Sequence, residues 1–276
     1  MKLGTCVLRF NMPRVMGIVN NTPDSFSGDG VGGDVELAVR RGLAMFESGA
    51  DLVDVGGEST RPGADPVSSD IEIARTLPVV ERLARASPGR VSIDTMKPEV
   101  AQSALFAGAS IVNDVSGLRD PKMIEVVAEH DAATIIMHMK GEPRTMQAAP
   151  RYKDVVADIL GFLEDRVAAA EKGGVPSAKI MVDPGIGFGK TLEHNLEILS
   201  RLREFKVLGK PVVIGVSRKS FIGKLTGSPA QERLEGSLAA AVLAVNEGAD
   251  IVRVHDVLQT VQALKVANAI ITRQRR

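Results

Sequence analysis

The chain of 276 residues has 34 acidic and 34 basic side chains, so its formal charge is zero, and 44% of its residues are hydrophobic. The balanced charge and the 3% content of aromatic residues argue against nucleic acid as a partner, because that binding uses excess cations or stacking rings. No apolar run approaches the roughly 20 residues that span a bilayer. The one cysteine, Cys6, cannot form an internal disulfide. We therefore expect a globular protein of a reducing compartment, the cytoplasm.

The first half of the chain alternates short apolar runs with amphipathic stretches. Four runs occupy residues 15–19, 52–55, 91–93 and 110–112; the second ends in Gly56-Gly57-Glu58 and the others stop at Asn20, Asp94 and Asn113. The helices predicted after them begin at Asp34, Ser69, Pro98 and Asp120. Ser69 followed by Glu72 predicts a capping box, and Asp120 followed by proline predicts an N-cap with proline in the first helical position. This half therefore predicts four strand–helix units.

The second half repeats the pattern. Its apolar runs occupy residues 134–137, 180–182, 211–216 and 251–254. The predicted helices lie near 153–172, near 192–204, after a capping box of Ser228 and Gln231, and after Asp256. The last of them places four apolar side chains on one face, namely Val257, Val261, Leu264 and Ala267.

Eight runs, each followed by a helix, define the predicted fold. Apolar runs this continuous indicate strands buried on both faces, as in a parallel sheet. Eight such units in about 250 residues predict an α/β fold with a single (β/α)₈ TIM barrel. We predict one domain over residues 1–276, with the barrel at about 15–271 and a short N-terminal hairpin or cap before it. A doubly wound open sheet is the alternative.

Polar side chains follow the predicted strands where each strand ends. They are Asn20, Asp54, Asp94, Asn113, His138, Asp183, residues 217–219, Arg253 and His255. Any one of them is explained by a turn or a helix cap. Because the carboxyl ends of barrel strands converge on one face, eight in register predict an active site there.

The residue types at this rim suit two kinds of ligand group. Asp94, Asn113 and Asp183 offer acceptors and an amide to a flat heterocycle with several N–H groups. A second set offers cationic donors to a phosphate or diphosphate, namely Arg61, Lys219, Arg253 and His255. Asp54 is the weakest candidate, because it and Asp51 can simply brace the neighbouring backbone.

Residues 183–191 contain a Gly-Lys-Thr that is typical of a nucleotide phosphate loop. That motif needs a glycine where this chain has Pro184, which has no N–H for a phosphate. We therefore interpret the stretch as the end of the sixth strand, with Asp183 in the site and Phe188 over its mouth. Lys190 either contacts an anion or is a solvated lysine at a helix start.

Eight segments of the chain resemble the dihydropteroate synthases. They are residues 16–27, 57–63, 92–95, 112–114, 137–139, 183–191, 217–220 and 253–256, and the likeness runs from about 15 to 265. The first loop departs from the family pattern at Asn21, where an aliphatic residue is common, and at Gly28–Asp29. The basic tail at 272–276 is expected to be a frayed terminus.

The resemblance implies a homodimeric barrel enzyme of the folate pathway. It would join p-aminobenzoate to 6-hydroxymethyl-7,8-dihydropterin diphosphate with Mg²⁺ as cofactor. The residues that it assigns to the pterin are Asp94, Asn113, Met137, Asp183, Gly215, Lys219 and Arg253. Those assigned to p-aminobenzoate are Thr60, Arg61, Pro62, Phe188 and Ser217, with Lys219 beside them. Those assigned to the diphosphate are Asn20, Arg61, Arg253 and His255, and Asn20 would also contact the metal.

The expected mechanism relies on charge stabilisation and positioning. Diphosphate leaves first in an SN1-like reaction, and the neutral amine then attacks the cationic carbon. The residues expected to act in catalysis are Asp94, Asp183, Lys219, Arg253 and His255. The chain offers no obvious nucleophile, because Cys6 precedes the barrel.

Three other functions stay open from the sequence. A pterin-binding methyltransferase-like domain for a corrinoid partner could share the pterin residues, but it would not need the Thr60–Arg61 and 217–219 loops. A catalytically altered paralogue could bind pterin as a regulatory module, and the altered first loop is the feature that favours this function. A barrel enzyme acting on another phosphorylated substrate is the third.

Overall fold

The computed structural model of the chain describes residues 1–22, 33–60 and 63–274. It begins with an antiparallel hairpin of β1 (Lys2–Leu3) and β2 (Cys6–Val7). Eight parallel strands follow, namely β3 (Arg14–Asn20), β4 (Leu52–Gly56), β5 (Val91–Asp94), β6 (Ile111–Asp114), β7 (Ala133–Met137), β8 (Ile180–Asp183), β9 (Val213–Gly215) and β10 (Ile251–Val254). The predicted N-terminal hairpin is therefore confirmed.

The eight parallel strands form one sheet in the order β8-β7-β6-β5-β4-β3-β10-β9. The two ends of this order meet at a parallel bridge between Val182 and Val212, where the Val182 amide donates to the Pro211 carbonyl at 3.0 Å. This contact closes the sheet into a barrel. The predicted (β/α)₈ fold is confirmed, and the open doubly wound sheet is excluded.

Helices surround the barrel. They are α1 (Val35–Glu47), α2 (Ser69–Ala86), α3 (Pro98–Phe106), α4 (Pro121–Glu129), α5 (Val155–Lys172), α6 (Leu192–Ser200), α7 (Ser220–Thr226), α8 (Leu234–Asn246) and α9 (Val257–Gln274). Within the described ranges, no helix is long and apolar enough to cross a membrane. The predicted inner face of α9 is confirmed, since Val257, Leu264 and Ala267 are buried and Val261 is half-buried.

Two predicted capping boxes are wrong. The N-cap of α2 is Ser68, whose hydroxyl accepts from the Ile71 amide, and Glu72 turns into the protein instead. Ser228 lies in a loop, since α8 begins only at Leu234. The Ser228 carbonyl accepts from the Arg233 guanidinium.

The helices of the structure differ from the prediction in other ways too. The short helix α7 between β9 and α8 has no counterpart in the prediction. The chain after α6 tightens into a 3₁₀ segment, Leu202–Leu208, instead of continuing the α-helix to Glu204. The helix α9 extends to Gln274 and so includes the first residues of the basic tail.

The core has two main layers. The larger cluster fills the space between the outer face of the sheet and the helices. A smaller cluster fills the barrel at the amino ends of its strands, where Leu3 and Leu8 of the hairpin segment pack on Met16, Leu52 and Ile135, among others. The hairpin thus plugs this end of the barrel, while the carboxyl ends of the strands are left to form the site.

Candidate active site

A cavity of about 540 Å³ opens at the carboxyl ends of the strands. Nine of the predicted site residues line it, namely Asn20, Thr60, Asp94, Phe188, Gly215, Ser217, Lys219, Arg253 and His255. Asn113, Met137 and Asp183 are buried at the same strand ends. Arg61 and Pro62, like Gly28–Asp29 of the first loop, lie outside the described residues. The structure thus brings the described candidates together around one cavity.

The floor of the cavity is an acidic cluster built around Arg253. Its Nε donates to Asp54 Oδ2 at 2.6 Å, and its Nη2 donates to Asp94 Oδ2 at 2.5 Å. The Asn113 amide nitrogen donates to the same oxygen of Asp54 at 2.9 Å. These side chains come from β4, β5, β6 and β10, which with β3 are consecutive in the sheet, so the curvature of the sheet brings them together.

The prediction that Asp54 merely braces backbone is therefore wrong. Asp54 is fully buried and holds both Arg253 and Asn113. Its neighbour Asp51 does brace backbone, since it accepts from the Val15 amide at 2.9 Å and pairs with Arg14. Asp51 immediately precedes β4 and Asp54 lies within it, so the two aspartates are close in the sequence but their side chains have different partners.

Burial and charge oppose one another on this floor. Burial raises the pKa of Asp94 to about 7, while the Arg253 charge acts to lower it. Burial would lower the pKa of Arg253, but the carboxylates of Asp54 and Asp94 outweigh that effect and raise it. Arg253 is therefore a permanent cation, whereas Asp94 can change charge close to neutral pH.

Lys219 and Asp183 stand beside this cluster. Asp183 Oδ1 accepts from the Gly185 amide at 2.7 Å, and burial raises the pKa of its carboxyl group. Burial and the nearby Arg253 lower the pKa of Lys219 to about 8, against the attraction of Asp183. The Lys219 ammonium also lies 4.3 Å from the centre of the Phe188 ring, within cation–π range.

His255 is a neutral hydrogen-bonding group rather than the cation that the sequence suggests. Burial, with Arg253 and Arg218 nearby, lowers its pKa to about 3. The His255 amide donates to Ser217 Oγ, which leaves the hydroxyl hydrogen free for His255 Nδ1, 3.0 Å away. In that arrangement the ring proton sits on Nε2, where it can be donated to an anion.

Arg218 is tied to the start of α9. Its guanidinium pairs with both carboxylate oxygens of Asp256, at 3.0 and 2.6 Å, and its backbone adopts a left-handed φ of 56°. This turn lets the neighbouring residues Ser217 and Lys219 both line the cavity. Arg218 thus fixes the conformation of the segment 217–219 at the end of β9.

Lys190 is buried in the cavity wall, with 3% of its surface exposed, so the alternative of a solvated lysine is wrong. Its Nζ lies 3.0 Å from His138 Nδ1 and 2.9 Å from the Phe188 carbonyl oxygen. Burial, with the Lys190 charge nearby, lowers the pKa of His138 to about 2. His138, expected at the rim, is therefore a buried neutral partner of Lys190.

A buried ion cluster that the sequence does not reveal supports the loop between β4 and α2, which carries Thr60. Lys97 Nζ contacts Glu58 Oε2 at 2.6 Å and Glu72 Oε2 at 2.5 Å. Glu58 also accepts from the Val67 amide, so it ties the two ends of the loop that carries Thr60. No signal in the sequence indicates this cluster, because the predicted capping box already accounts for Glu72 there.

Asn21, the departure in the first loop, is fully buried. Its amide nitrogen donates to the Arg75 carbonyl in α2 at 2.8 Å. A hydrogen bond of this kind is unavailable to an aliphatic residue. The polar side chain therefore attaches the start of the first loop to the neighbouring helix.

Comparison with known proteins gives a consistent result. The family described as "Pterin binding enzyme" matches residues 16–255. Dihydropteroate synthase of Escherichia coli K12 is 46% identical over 265 residues, which cover 96% of this chain and 94% of that protein.

Solved structures agree in fold. Dihydropteroate synthase of Yersinia pestis, with a sulfonamide drug complex, superposes with a TM-score of 0.96 at 40% identity, covering 99% of both chains. The enzyme of Xanthomonas albilineans with 4-aminobenzoic acid gives a TM-score of 0.88 at 47% identity, covering 95% of this chain and 94% of the other.

Proposed function

The chain belongs to the pterin-binding enzymes and, within them, to the dihydropteroate synthases, and on that premise we propose how its residues divide the work. The reaction condenses 6-hydroxymethyl-7,8-dihydropterin diphosphate with p-aminobenzoate to 7,8-dihydropteroate and diphosphate, a step of folate biosynthesis. One observation carries the assignment of roles. Arg253 lies between Asp54 and Asp94 beside Asn113, at the floor of a cavity of about 540 Å³.

The pterin ring occupies the floor in this proposal. Asp94, Asn113 and Asp183 present oxygens to the N–H edge of the ring, and Lys219 donates to its acceptor atoms. Arg253 stacks on the ring, while Met137 and Gly215 line the slot. The support is that Met137 packs among Met139 and Met146 in an apolar cluster beside these polar groups. One polar edge and apolar faces suit a flat heterocycle.

The p-aminobenzoate ring binds nearer to the mouth of the cavity. Thr60, Phe188 and Ser217 line this part, with Lys219 between the two subsites. Arg61 and Pro62, the neighbours of Thr60, complete the assignment from outside the described residues. The Phe188 ring offers an apolar face for the aryl group, and Lys219 lies on that ring.

The departing diphosphate is stabilised by charge and by neutral donors. As the C–O bond breaks, the leaving oxygen takes the electron pair, and the Arg253 guanidinium faces the charge that develops. Arg61 adds a second cation, and His255 Nε2–H adds a neutral hydrogen bond. The carboxylates of Asp94 and Asp183 favour the cationic pterin methylene. The amine nitrogen then bonds to this carbon and releases a proton to water.

Mg²⁺ fits this site as a partner of the diphosphate. Asn20 lines the cavity at the end of β3, and its Oδ1 and Asp94 Oδ2 both approach Gly56. Among the described residues, no group of three or more His, Cys, Asp or Glu side chains could hold a metal ion. Magnesium commonly binds through one or two protein oxygens together with substrate phosphates, and it would spread the charge of the leaving diphosphate.

The homodimer and the cytoplasmic location are also proposals. Neighbouring helices α8 and α9 expose Leu243, Val266 and Ile270. A second copy of the chain that packs on these helices would remove the three side chains from water. The free Cys6 suits a reducing compartment.

Direct assay of the purified chain tests the function. We expect incubation with Mg²⁺ and both substrates to yield dihydropteroate and diphosphate in equal amounts. Asp183→Ala and Lys219→Ala should reduce the yield to background while the fold survives. The exposed residues Asp165 and Lys122 provide matched aspartate and lysine controls for alanine substitution. Equal turnover by all four variants would show that the site is misplaced.

A further inference from the structure

We propose that Lys190 is a positioning residue that fixes the loop of residues 184–190 as a rigid wall for the aryl amine, and that it sets the affinity for p-aminobenzoate through Phe188. The loop is the one that resembles a nucleotide phosphate loop in sequence. The inference rests on the proposed function, because it assigns Phe188 to the amine subsite. It goes further by giving a task to a buried lysine that the reaction itself does not use.

The first observation is that three consecutive backbone carbonyls of the loop each accept a side-chain hydrogen bond. The Gly187 carbonyl accepts from Gln147 Nε2, and the Gly189 carbonyl accepts from the Tyr152 hydroxyl at 2.8 Å. The Phe188 carbonyl between them accepts from Lys190 Nζ at 2.9 Å. Loops usually leave such groups to water, so a donor on each of three successive carbonyls fixes the local backbone.

The second observation is where the other bonds of Lys190 go. Its Nζ lies 3.4 Å from the His138 carbonyl oxygen and 3.0 Å from His138 Nδ1. In the described part of the chain all the hydrogen-bond partners of Nζ are uncharged, and burial lowers the pKa of this amine well below its ordinary value. The side chain therefore joins the end of β7 to the Phe188 backbone.

The third observation is that the loop lies directly on the segment after β7. Gly185 has a φ of 71°, and a Cβ built there would stand 2.0 Å from the His138 carbonyl oxygen. A Cβ on Gly189 would stand 2.5 Å from the Lys140 carbonyl oxygen. Backbone therefore packs on backbone at both ends of the loop, with Lys190 bridging the middle.

These contacts reach the ligand through one ring. Phe188 lines the cavity and packs on the apolar cluster of Val115, Met137, Met139 and Met146. Its backbone carbonyl is the group that Lys190 holds. Loss of that hydrogen bond would let the ring shift while the acidic floor stays in place, so the amine subsite alone should weaken.

Steady-state kinetics with Lys190→Met tests the proposal, because methionine keeps the length of the side chain and removes its donors. We expect the KM for p-aminobenzoate to rise about tenfold, the effect of losing one buried hydrogen bond, while the KM for the pterin diphosphate changes less than about twofold. Lys122→Met, at an exposed position on α4, should leave both constants unchanged. Equal increases in both KM values, or no increase in either, would overturn the proposal.

Tyr152→Phe gives a second, milder test that keeps the aromatic packing. It removes only the donor to the Gly189 carbonyl, and we expect a rise of about threefold in the same KM. Failure of Lys190→Met to fold would leave this variant to decide, and an unchanged KM would then contradict the proposal.

Amide hydrogen exchange supplies a readout that does not depend on turnover. In Lys190→Met the amides of residues 185–189 should exchange at least about fivefold faster than in the parent chain, with the strands unchanged. Unchanged exchange at these amides would refute the proposal that Lys190 makes the loop rigid, even if the variant were inactive. A parent chain that forms no dihydropteroate would instead refute the proposed function, so the two failures are distinguishable.

Discussion

Asp54 and Arg253, 199 positions apart in the chain, meet beneath the cavity with Asp54 Oδ2 2.6 Å from Arg253 Nε. The same oxygen accepts from Asn113, so one carboxylate atom sets the direction of two groups assigned to the pterin. Asp54 itself does not line the cavity in the described structure. It acts on the reaction by holding the groups that do.

Asp54→Asn is expected to lower kcat/KM for the pterin diphosphate by about 10- to 100-fold. The amide keeps the shape of the side chain but loses the charge that orients Arg253, and hydrogen bonds to charged groups contribute about 1.5–3 kcal/mol. Asp51→Asn is the matched control. It should cost stability, about 1 kcal/mol through Arg14 and the Val15 amide, without changing kcat/KM. Equal kinetic losses in the two variants would exclude a specific role for Asp54.

Activity is expected to fall above about pH 8 as Lys219 loses its proton. Burial lowers the pKa of Lys219 to about 8, so the cation that faces the substrate is present below this pH and lost above it. In a plot of log kcat/KM against pH, the alkaline limb should approach a slope of −1. Lys219→Arg keeps its charge and should move that limb to higher pH, whatever its absolute rate. A limb that stays in place would assign the titration to another group.

Removal of Mg²⁺ should abolish activity without altering the fold. A chelator is expected to stop product formation, and added Mg²⁺ to restore it. Mg²⁺ alone should shift the Tm by less than about 1 °C, since ligand stabilisation follows affinity, and a larger shift should require diphosphate as well. A large shift with Mg²⁺ alone would indicate a metal site made by the protein, contrary to the role assigned to Asn20.

Alanine at Gly185 and Gly209 separates backbone strain from close packing. Both glycines have left-handed φ values, 71° and 64°, but only a Cβ on Gly185 meets another atom, the His138 carbonyl oxygen at 2.0 Å. Gly209→Ala should cost about 1 kcal/mol from φ alone. Gly185→Ala should cost about 3 kcal/mol and should raise the KM for p-aminobenzoate, because the loop must move. Similar unfolding curves for the two variants in urea would argue against tight packing of this loop.

Lys97→Met should destabilise the enzyme more at high pH than at low pH. It leaves the fully buried Glu72 without its cation, which costs about 3 kcal/mol when the carboxylate is charged. Burial already raises the pKa of Glu72. Above its ordinary pKa of 4.5 the carboxyl group of Glu72 is deprotonated in the unfolded state but still protonated in the folded state. The free energy of unfolding therefore falls as the pH rises from 4.5 through the raised pKa. Urea unfolding at pH 5 and pH 8 measures the difference, and Glu72→Gln in the same background should remove it. Equal losses at both pH values would contradict this account.

The sequence predicts the barrel and its rim because both arise from local patterns. Each strand is an apolar run with a polar residue at its end, and closure of the sheet then brings Asn20, Asp94 and Asp183 to one face. The partner of a given side chain is not a local property. Asp54 meets Arg253, and Lys97 meets Glu72, only because non-adjacent segments converge in space.

Lys190 shows the same limit in another form. A lysine at the start of a helix is usually solvated, and nothing near it in the sequence indicates burial. Its environment is set by His138, 52 positions earlier, and by glycines that let the loop lie flat on another segment. The predicted capping box of α2 failed for a similar reason, since Glu72 has a tertiary partner, Lys97, that a propensity argument omits, whereas the predicted N-cap Asp120 is confirmed.

In the part of the chain that the structure describes, the hairpin closes the end of the barrel opposite the cavity. Leu3 and Leu8 fill the end opposite the cavity, and Gly89 lies so close to the hairpin that a Cβ would stand 2.3 Å from the Leu3 carbonyl oxygen. Substrates therefore enter, and products leave, through the opening at the carboxyl ends of the strands. Under the subsite assignment proposed above, the pterin binds before the amine that covers it, and dihydropteroate leaves before the next pterin binds. With that assignment, the closed end of the barrel imposes an order on substrate binding and product release.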